Sequence, residues 1–324
     1  MASERAAILL GMVIAAWGFP LKGPGGETID LDRLLASHGF VELPPMKLDQ
    51  ASTALTVTLA VPGGARTVRV GPGRKGHGRV EVLGRPASER QWASIKTTLR
   101  RVLRLDEDLS PFYAAVADDP QLGWIAGGAG RMIQSPTVFE DVVKTICTTN
   151  CAWGATERMV GALVEHLGRR APGSPAHGPQ GRAFPTPVAM AGTGERFYRD
   201  VARAGYRGAY LLQLARDVAD GRVDLEQLTD RERTDQQVEE RLLALPGVGP
   251  YAAAHVMMTI GRYHRLILDS WTRPTYAKVR GGKIVKDAAI ERRFRRFGPY
   301  AGLAFWLFLT RDWVQEGDPL PAGN

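Results

Sequence analysis

Cysteine is scarce in this chain of 324 residues, which has only Cys147 and Cys151. The two residues lie four positions apart on one face of a helical pattern, a spacing that is poor for a disulfide. Two thiolates are also too few to hold an iron–sulfur cluster, so we expect none. Free thiols are typical of a reducing compartment, and we therefore expect a cytoplasmic protein.

Long hydrophobic runs are also missing, so we expect no membrane-spanning segment. The apolar stretch at residues 6–18 is too short to cross a bilayer. It resembles the apolar part of a signal peptide, but Glu4 stands beside Arg5 and removes the positive bias of the preceding residues. We interpret residues 1–28 as an N-terminal extension, either a packed segment or an extended gene start. Internal repeats and coiled-coil heptads are not found either.

Acidic residues are outnumbered, with 34 Asp and Glu against 42 Lys and Arg. The formal net charge is +8 and the pI is about 9.7. This excess suits a polyanionic partner such as nucleic acid, although many soluble proteins are equally basic. A hydrophobic fraction of 44% is normal for a globular protein with a sizeable core, and the length allows two domains.

The pattern of residues 29–110 predicts a small α/β domain with an antiparallel sheet. Apolar residues alternate with Thr and Ala, as in a strand with one buried face. We predict strands at 55–61, 66–70 and 80–83, and a helix at 88–105. The glycine-rich loop at 71–79 carries Arg74, Lys75, His77 and Arg79. It is either a solvated loop or a phosphate contact.

From about residue 111 the apolar residues recur with the period of a helix. Stripes of this kind begin near residues 138, 159 and 210, and a last apolar helix is predicted at 300–313. Thr137 with Glu140, and Thr234 with Gln237, fit capping boxes at helix starts. We therefore predict an α+β fold that is mainly α. Its parts are the small sheet domain, a helical domain at 111–316 and a tail at 317–324.

A break between two helical patterns lies within residues 241–255. It reads Leu245-Pro246-Gly247-Val248-Gly249. Glycines at alternate positions allow a tight turn and a close approach of the backbone to a partner. The amides of the turn then lie at a helix N-terminus, where an anion such as a DNA phosphate is favoured. Taken alone, the five residues fit a simple turn between two helices equally well.

This stretch and Asp269 resemble the helix-hairpin-helix of the DNA glycosylase superfamily that carries a Gly/Pro-rich hairpin followed by an aspartate. In that family the hairpin grips the DNA backbone beside a flipped nucleotide, and the aspartate serves the chemistry. Other segments resemble 3-methyladenine DNA glycosylase II and 8-oxoguanine DNA glycosylase, in the same order. They are residues 29–45, Ile146 to Asn150, Gly205-Tyr206-Arg207 and Gly298 to Gly302. The likeness spans residues 29–312.

The resemblance implies a catalytic role for Asp269 and DNA contacts elsewhere. A base inside a duplex must be extruded before it can be released. Breaking its N-glycosidic bond builds positive charge on the sugar, which a nearby carboxylate stabilises. The same carboxylate can also orient or deprotonate water. The implied DNA contacts are Leu245, Pro246, Gly247, Val248 and Gly249 of the hairpin, Asn150 in the hole left by the base, Tyr206 as a wedge, and Arg207.

Tyr251 departs from the pattern of bifunctional relatives, which carry a lysine there. A phenol forms no Schiff base, so water is the expected nucleophile. Tyr251 and His255 share a helix face and are expected to line the base pocket with Trp271. Alternatively, His255 is merely packed and Trp271 fills the core. Ala155 replaces an arginine that reads the opposite base in 8-oxoguanine glycosylase, which leaves that recognition open.

We therefore expect a monofunctional DNA glycosylase of base excision repair that excises an alkylated or oxidised purine. The alternatives are a non-catalytic binder of damaged DNA and a bifunctional glycosylase/AP lyase that uses Lys278 or Lys283. We expect a monomer acting on double-stranded DNA at the nucleoid, with no required cofactor. The resemblance further implies a structural Na+ or K+ at the carbonyls of Leu243, Leu245 and Val248. The sequence does not name the lesion.

Overall fold

The computed structural model describes residues 13–316, which form one antiparallel sheet followed by helices. The sheet has five strands in the order β1-β5-β4-β3-β2. They are β1 (Val13–Pro20), β2 (Met46–Asp49), β3 (Ala54–Val61), β4 (Gly64–Pro72) and β5 (His77–Leu83). The three strands predicted from residue alternation are confirmed, and β2 is an addition.

The alternation in β3 and β4 places one set of apolar side chains on the inner face of the sheet. Leu55 lies opposite Val70 and Val57 lies opposite Val68. All four are fully buried, in a core shared with the helix that follows β5. Because side chains alternate faces with a period of two, this register follows from the sequence pattern.

The sheet begins before residue 29. Strand β1 falls inside the predicted extension of residues 1–28 and pairs with β5 along its length. The boundary at residue 28 is therefore misplaced, because residues 13–20 are a strand of the sheet. Residues 1–12 and the tail at 317–324 lie outside the described part of the chain.

Thirteen α-helices are found in the described range. They are α1 (Leu31–Leu35), α2 (Glu89–Val102), α3 (Ser110–Val116), α4 (Val138–Thr148), α5 (Trp153–Leu167), α6 (Pro187–Ala191), α7 (Arg207–Ala219), α8 (Asp235–Leu243), α9 (Pro250–Thr259), α10 (Thr272–Val279), α11 (Asp287–Phe294), α12 (Ala301–Leu309) and α13 (Arg311–Glu316). The apolar helix predicted at 300–313 is divided into α12 and α13. The predicted fold class, α+β and mainly α, is confirmed.

Side-chain caps fix where the helices begin. Thr234 and Gln237 form the predicted capping box of α8, each side chain bonding the other residue's backbone N–H. At α4 only half of the predicted box forms, since Thr137 accepts the N–H of Glu140. The carboxylate of Glu140 turns inward instead and pairs with the buried Lys144 at 2.8 Å.

Helix α9 lies between the two cores of the helical domain. Ala252 and Val256 belong to one core, whereas Ala254 and Met258 belong to the other. A helix packed on both sides has no polar face, which explains its small and apolar composition. The hairpin that precedes α9 is therefore held rigidly at the junction of the two cores. Within the described residues, every helix is too short or too polar to cross a membrane.

Candidate active site

The hairpin between α8 and α9 has the backbone that its two glycines predict. Gly247 has φ of +77°, and a Cβ there would lie 2.8 Å from Cδ2 of Tyr210. Only glycine fits that conformation and that space without strain. Gly249 has φ of −97° and precedes Pro250, the first residue of α9, with open space where a side chain would stand. No described backbone hydrogen bond uses the amide of Gly249, which leaves it for a partner.

Asp269 stands at the start of α10 and is held there by three hydrogen bonds. Its Oδ1 accepts the backbone N–H groups of Trp271 at 2.9 Å and Thr272 at 2.6 Å. Its own N–H donates to Oγ1 of Thr272 at 2.8 Å. No described hydrogen bond occupies Oδ2. One carboxylate oxygen therefore caps the start of α10 and orients the group, while the other is available to a ligand.

A cleft of about 1380 Å³ brings Asp269 and the hairpin together. Gly247, Val248 and Gly249 line one part of it, and Asp269 lines another. Much of the remaining wall is aromatic. The rings include those of Phe40, Tyr251, Trp271, Trp306 and Trp313. A cleft of this size and lining can hold a purine ring with its sugar.

Three indoles form one side of the cleft. Trp271 stacks on Trp313, with ring centroids 5.6 Å apart and planes 2° apart. Trp306 contacts both, at 5.8 Å from Trp271 and 6.0 Å from Trp313. Trp271 is half-buried. It therefore fills the core and lines the cleft at the same time, so the two roles considered for it are not exclusive.

Tyr251 and His255 face the cleft together, as their spacing on the helix predicts. The Tyr251 hydroxyl is 3.3 Å from Oγ1 of Thr148, and burial raises the pKa of this phenol to about 12. His255 is buried, and its ring lies 5.6 Å from that of Tyr251. Burial lowers the pKa of His255 to about 4, although Asp269 opposes the shift. Both side chains are therefore neutral near pH 7.

Residues from two distant segments meet at the rim of the cleft. Asn150 has φ of +47° and donates from Nδ2 to the Tyr206 hydroxyl at 3.3 Å. Tyr206 is 54% exposed, so its ring lies at the surface and is not part of the core. Arg207, which was assigned as a DNA contact, is buried and donates to the carbonyl of Thr149. Its guanidinium lies 4.6 Å from the centre of the Tyr206 ring, so Arg207 supports Tyr206 at the rim of the cleft.

The lysines of the lyase alternative differ in position. Lys278 lines the cleft, whereas Lys283 does not. The carbonyls proposed to hold a monovalent cation lie in the hairpin, where that of Leu245 accepts the N–H of Val248 at 3.2 Å. The cation remains a prediction from the resemblance. Cys147 and Cys151 are both free thiols.

Several residues of the cleft were not assigned from the sequence. His38, Thr148 and the pair Trp306 and Trp313 come from three regions that are far apart in the chain. His38 belongs to the segment that precedes the 3-10 helix Gly39–Glu42, and its Nε2 lies 2.8 Å from Nε2 of His255. No local pattern marks such residues, because only the tertiary fold brings them together.

Comparison with known proteins gives no match to a family model or to a curated protein sequence. Solved structures do match. A 3-methyladenine DNA glycosylase from Archaeoglobus fulgidus superimposes with a TM-score of 0.70 at 21% identity, covering 91% of this chain and 98% of that one. The structure of MBOgg1 in complex with a low-affinity DNA ligand has a TM-score of 0.69 at 17% identity. That match covers 94% of this chain and 96% of the other.

A third structure is an 8-oxoguanine glycosylase/lyase from Clostridium acetobutylicum in complex with double-stranded DNA containing cytosine opposite 8-oxoguanine. It has a TM-score of 0.63 and 20% identity, and the match covers 82% of this chain and 87% of that one. The protein therefore has the fold of the DNA glycosylases, which is the fold that the hairpin and Asp269 indicated.

Proposed function

We propose that this protein is a monofunctional DNA glycosylase of base excision repair, which releases a damaged purine from double-stranded DNA. One observation carries the proposal. Asp269, fixed through one carboxylate oxygen, lies in an aromatic cleft that the hairpin also lines. A phosphate bound by the hairpin amides would place the neighbouring sugar near this carboxylate. The shared fold with DNA glycosylases supports the same conclusion.

The reaction requires mainly a negative charge that is held close to the sugar. As the N-glycosidic bond lengthens, positive charge grows on the sugar, and the carboxylate of Asp269 stabilises it. Its Oδ1 is held by Trp271 and Thr272, so the group needs no reorganisation during the reaction. The free oxygen Oδ2 can also orient the water that attacks the sugar carbon.

Hydrolysis rather than lyase chemistry is supported by Tyr251. It stands on α9 where bifunctional relatives have a lysine, and its hydroxyl contacts Thr148. A phenol whose pKa is raised to about 12 stays protonated and forms no Schiff base. The expected product is therefore an intact abasic site.

The aromatic wall supports a damaged purine as the base that is released. Indole faces attract positive charge, at about 0.5–2 kcal/mol per contact depending on burial. A purine alkylated on a ring nitrogen carries such a charge, whereas an oxidised purine does not. Indole rings in the wall of the cleft, such as Trp271 and Trp306, would therefore favour an alkylated purine over an oxidised one.

A panel of duplexes, each with one lesion, tests this proposal. We expect abasic sites from duplexes with alkylated purines and none from undamaged DNA. The matched control is the Asp269→Asn variant, which should bind the same duplexes and release the base about 10²–10³-fold more slowly. A wild-type protein that binds damaged duplexes tightly but releases no base from the panel would instead be a non-catalytic binder of damaged DNA.

A further inference from the structure

A surface segment beyond α10 has no role in the proposed chemistry. It comprises residues 280–286, which we call the basic loop, and connects α10, which ends at Val279, with α11. The last turn of α10 carries Lys278, which lines the cleft. The basic loop therefore begins at the mouth of the cleft that holds Asp269.

The tip of the basic loop exposes apolar side chains. Ile284 is 92% exposed and Val285 is 39% exposed, and Val279 at the end of α10 is 45% exposed. Gly281 and Gly282 precede this tip with φ of +77° and +85°. An isoleucine held almost entirely in water contributes nothing to the core, so its whole side chain is available for burial against a partner.

The charge around this tip has one sign. The 17 residues from 270 to 286 contain five Lys and Arg and no Asp or Glu. Asp287, the first acidic residue after them, is already paired with Arg273 through two contacts of 2.9 Å. Among the described residues, Lys278, Arg280, Lys283 and Lys286 form no salt bridge. A polyanion is the complementary surface for such a segment.

We propose that the basic loop is a second DNA contact, in which Lys283 and Lys286 bind phosphates and Ile284 packs into the groove beside the flipped nucleotide. Apolar side chains that enter a groove displace water from sugars and base edges, and flanking cations hold the strand in place. The inference rests on the proposed function for its partner. It adds a contact from a segment of the chain that is separate from Asn150 and Tyr206.

Equilibrium binding to an undamaged duplex and to a duplex with an abasic-site analogue tests the charges. The Lys283→Gln/Lys286→Gln double variant should bind both duplexes more weakly. Each phosphate contact contributes about 0.9 to the slope of log affinity against log salt, so the slope should fall by about 1.8. Arg85→Gln/Arg90→Gln removes the same charge from exposed positions of the sheet domain that do not line the cleft, and should leave the slope unchanged.

The apolar contact has its own pair of variants. Ile284→Ser should weaken binding to the abasic-site duplex about tenfold, as expected for partial burial of one aliphatic side chain. Val188→Ser changes another exposed aliphatic residue, 68% exposed on α6, and should leave binding unchanged. All these positions are on the surface, so equal melting temperatures are expected for every variant.

The outcomes separate this inference from the proposed function. Wild-type affinity and salt slope in the double variant, or equal effects of the two charge pairs, would overturn the role of the basic loop. If the wild-type protein still releases a damaged base in that case, the proposed glycosylase function would stand without the loop contact. Conversely, loss of affinity in the loop variants with no base release from any lesion would retain the loop as a DNA contact and reject the glycosylase.

Discussion

A hydrogen bond of 2.8 Å joins the Nε2 atoms of His38 and His255. Nδ1 of His38 accepts the backbone N–H of Phe40 at 3.2 Å, so His38 carries its proton on Nε2 and donates it to His255. His255 must then carry its own proton on Nδ1. A further proton on the pair would set two N–H groups against each other, and both rings are buried. The bond ties the sheet domain to the hairpin helix only while both histidines are neutral.

This pair predicts a loss of stability in acid. Burial lowers the pKa of His255 to about 4 from 6.5, and burial, His255 and Lys144 lower that of His38. Between pH 6.5 and 4 the unfolded chain binds protons that the native pair does not. The free energy of unfolding therefore falls as the pH drops through that window. For His255, lowering the pKa from 6.5 to about 4 corresponds to about 3 kcal/mol of stability lost across this window.

Urea unfolding at several pH values between 7.5 and 4.5 measures this dependence. His255→Gln should flatten the decline, because glutamine takes up no proton in either state. Glu140, whose pKa is raised to about 6 by burial, contributes in the opposite direction and is the same in both proteins, so it cancels in the comparison. His166→Gln, at a half-exposed position of α5, should keep the wild-type slope. An unchanged slope in His255→Gln would contradict the neutral pair.

The structural features that could be predicted are those that depend on residues close together in the sequence. The alternation in β3 and the capping box of Thr234 and Gln237 depend on residues close in the chain, and both were found. The conformation of the hairpin likewise depends on its own glycines, Gly247 and Gly249. By contrast, His38 and His255 are 217 positions apart, and the stack of Trp271 on Trp313 joins separate helices. Such contacts depend on how helices pack, for which a single sequence has no local signal.

The Asp269→Asn variant separates the chemical role of this residue from its structural role. Asparagine caps helices about as well as aspartate, so the bonds to Trp271 and Thr272 and the melting temperature should be kept. Base release should fall by about 10²–10³-fold, as for loss of one electrostatic stabiliser, with DNA affinity retained. Single-turnover kinetics measure the fall. Asp287→Asn, which removes a carboxylate outside the cleft, is the control, and near-wild-type release by Asp269→Asn would reject the assignment.

The two hairpin glycines should respond differently to alanine. Gly247→Ala meets the Tyr210 ring at 2.8 Å and requires φ of +77°, so it should lower the melting temperature. Gly249→Ala has open space and an ordinary φ, so the fold should tolerate it. If the amide of Gly249 approaches a phosphate, its methyl group should weaken binding to all duplexes alike and leave the choice of lesion unchanged. Binding at wild-type affinity, or altered lesion choice, would count against the gripping role.

The last prediction concerns the fate of the DNA strand. Tyr251 puts a protonated phenol where a lyase needs an amine, so the strand should remain intact until alkali or heat is applied. Borohydride should then trap no adduct between wild-type protein and DNA. Lys278 is the candidate amine for lyase chemistry, since it lines the cleft with Asp269, whereas Lys283 lies on the basic loop. A trapped adduct that disappears in Lys278→Gln and persists in Lys283→Gln would establish lyase chemistry and overturn the monofunctional proposal. Tyr251→Lys serves as the positive control, because a buried lysine loses its proton readily and can attack the sugar.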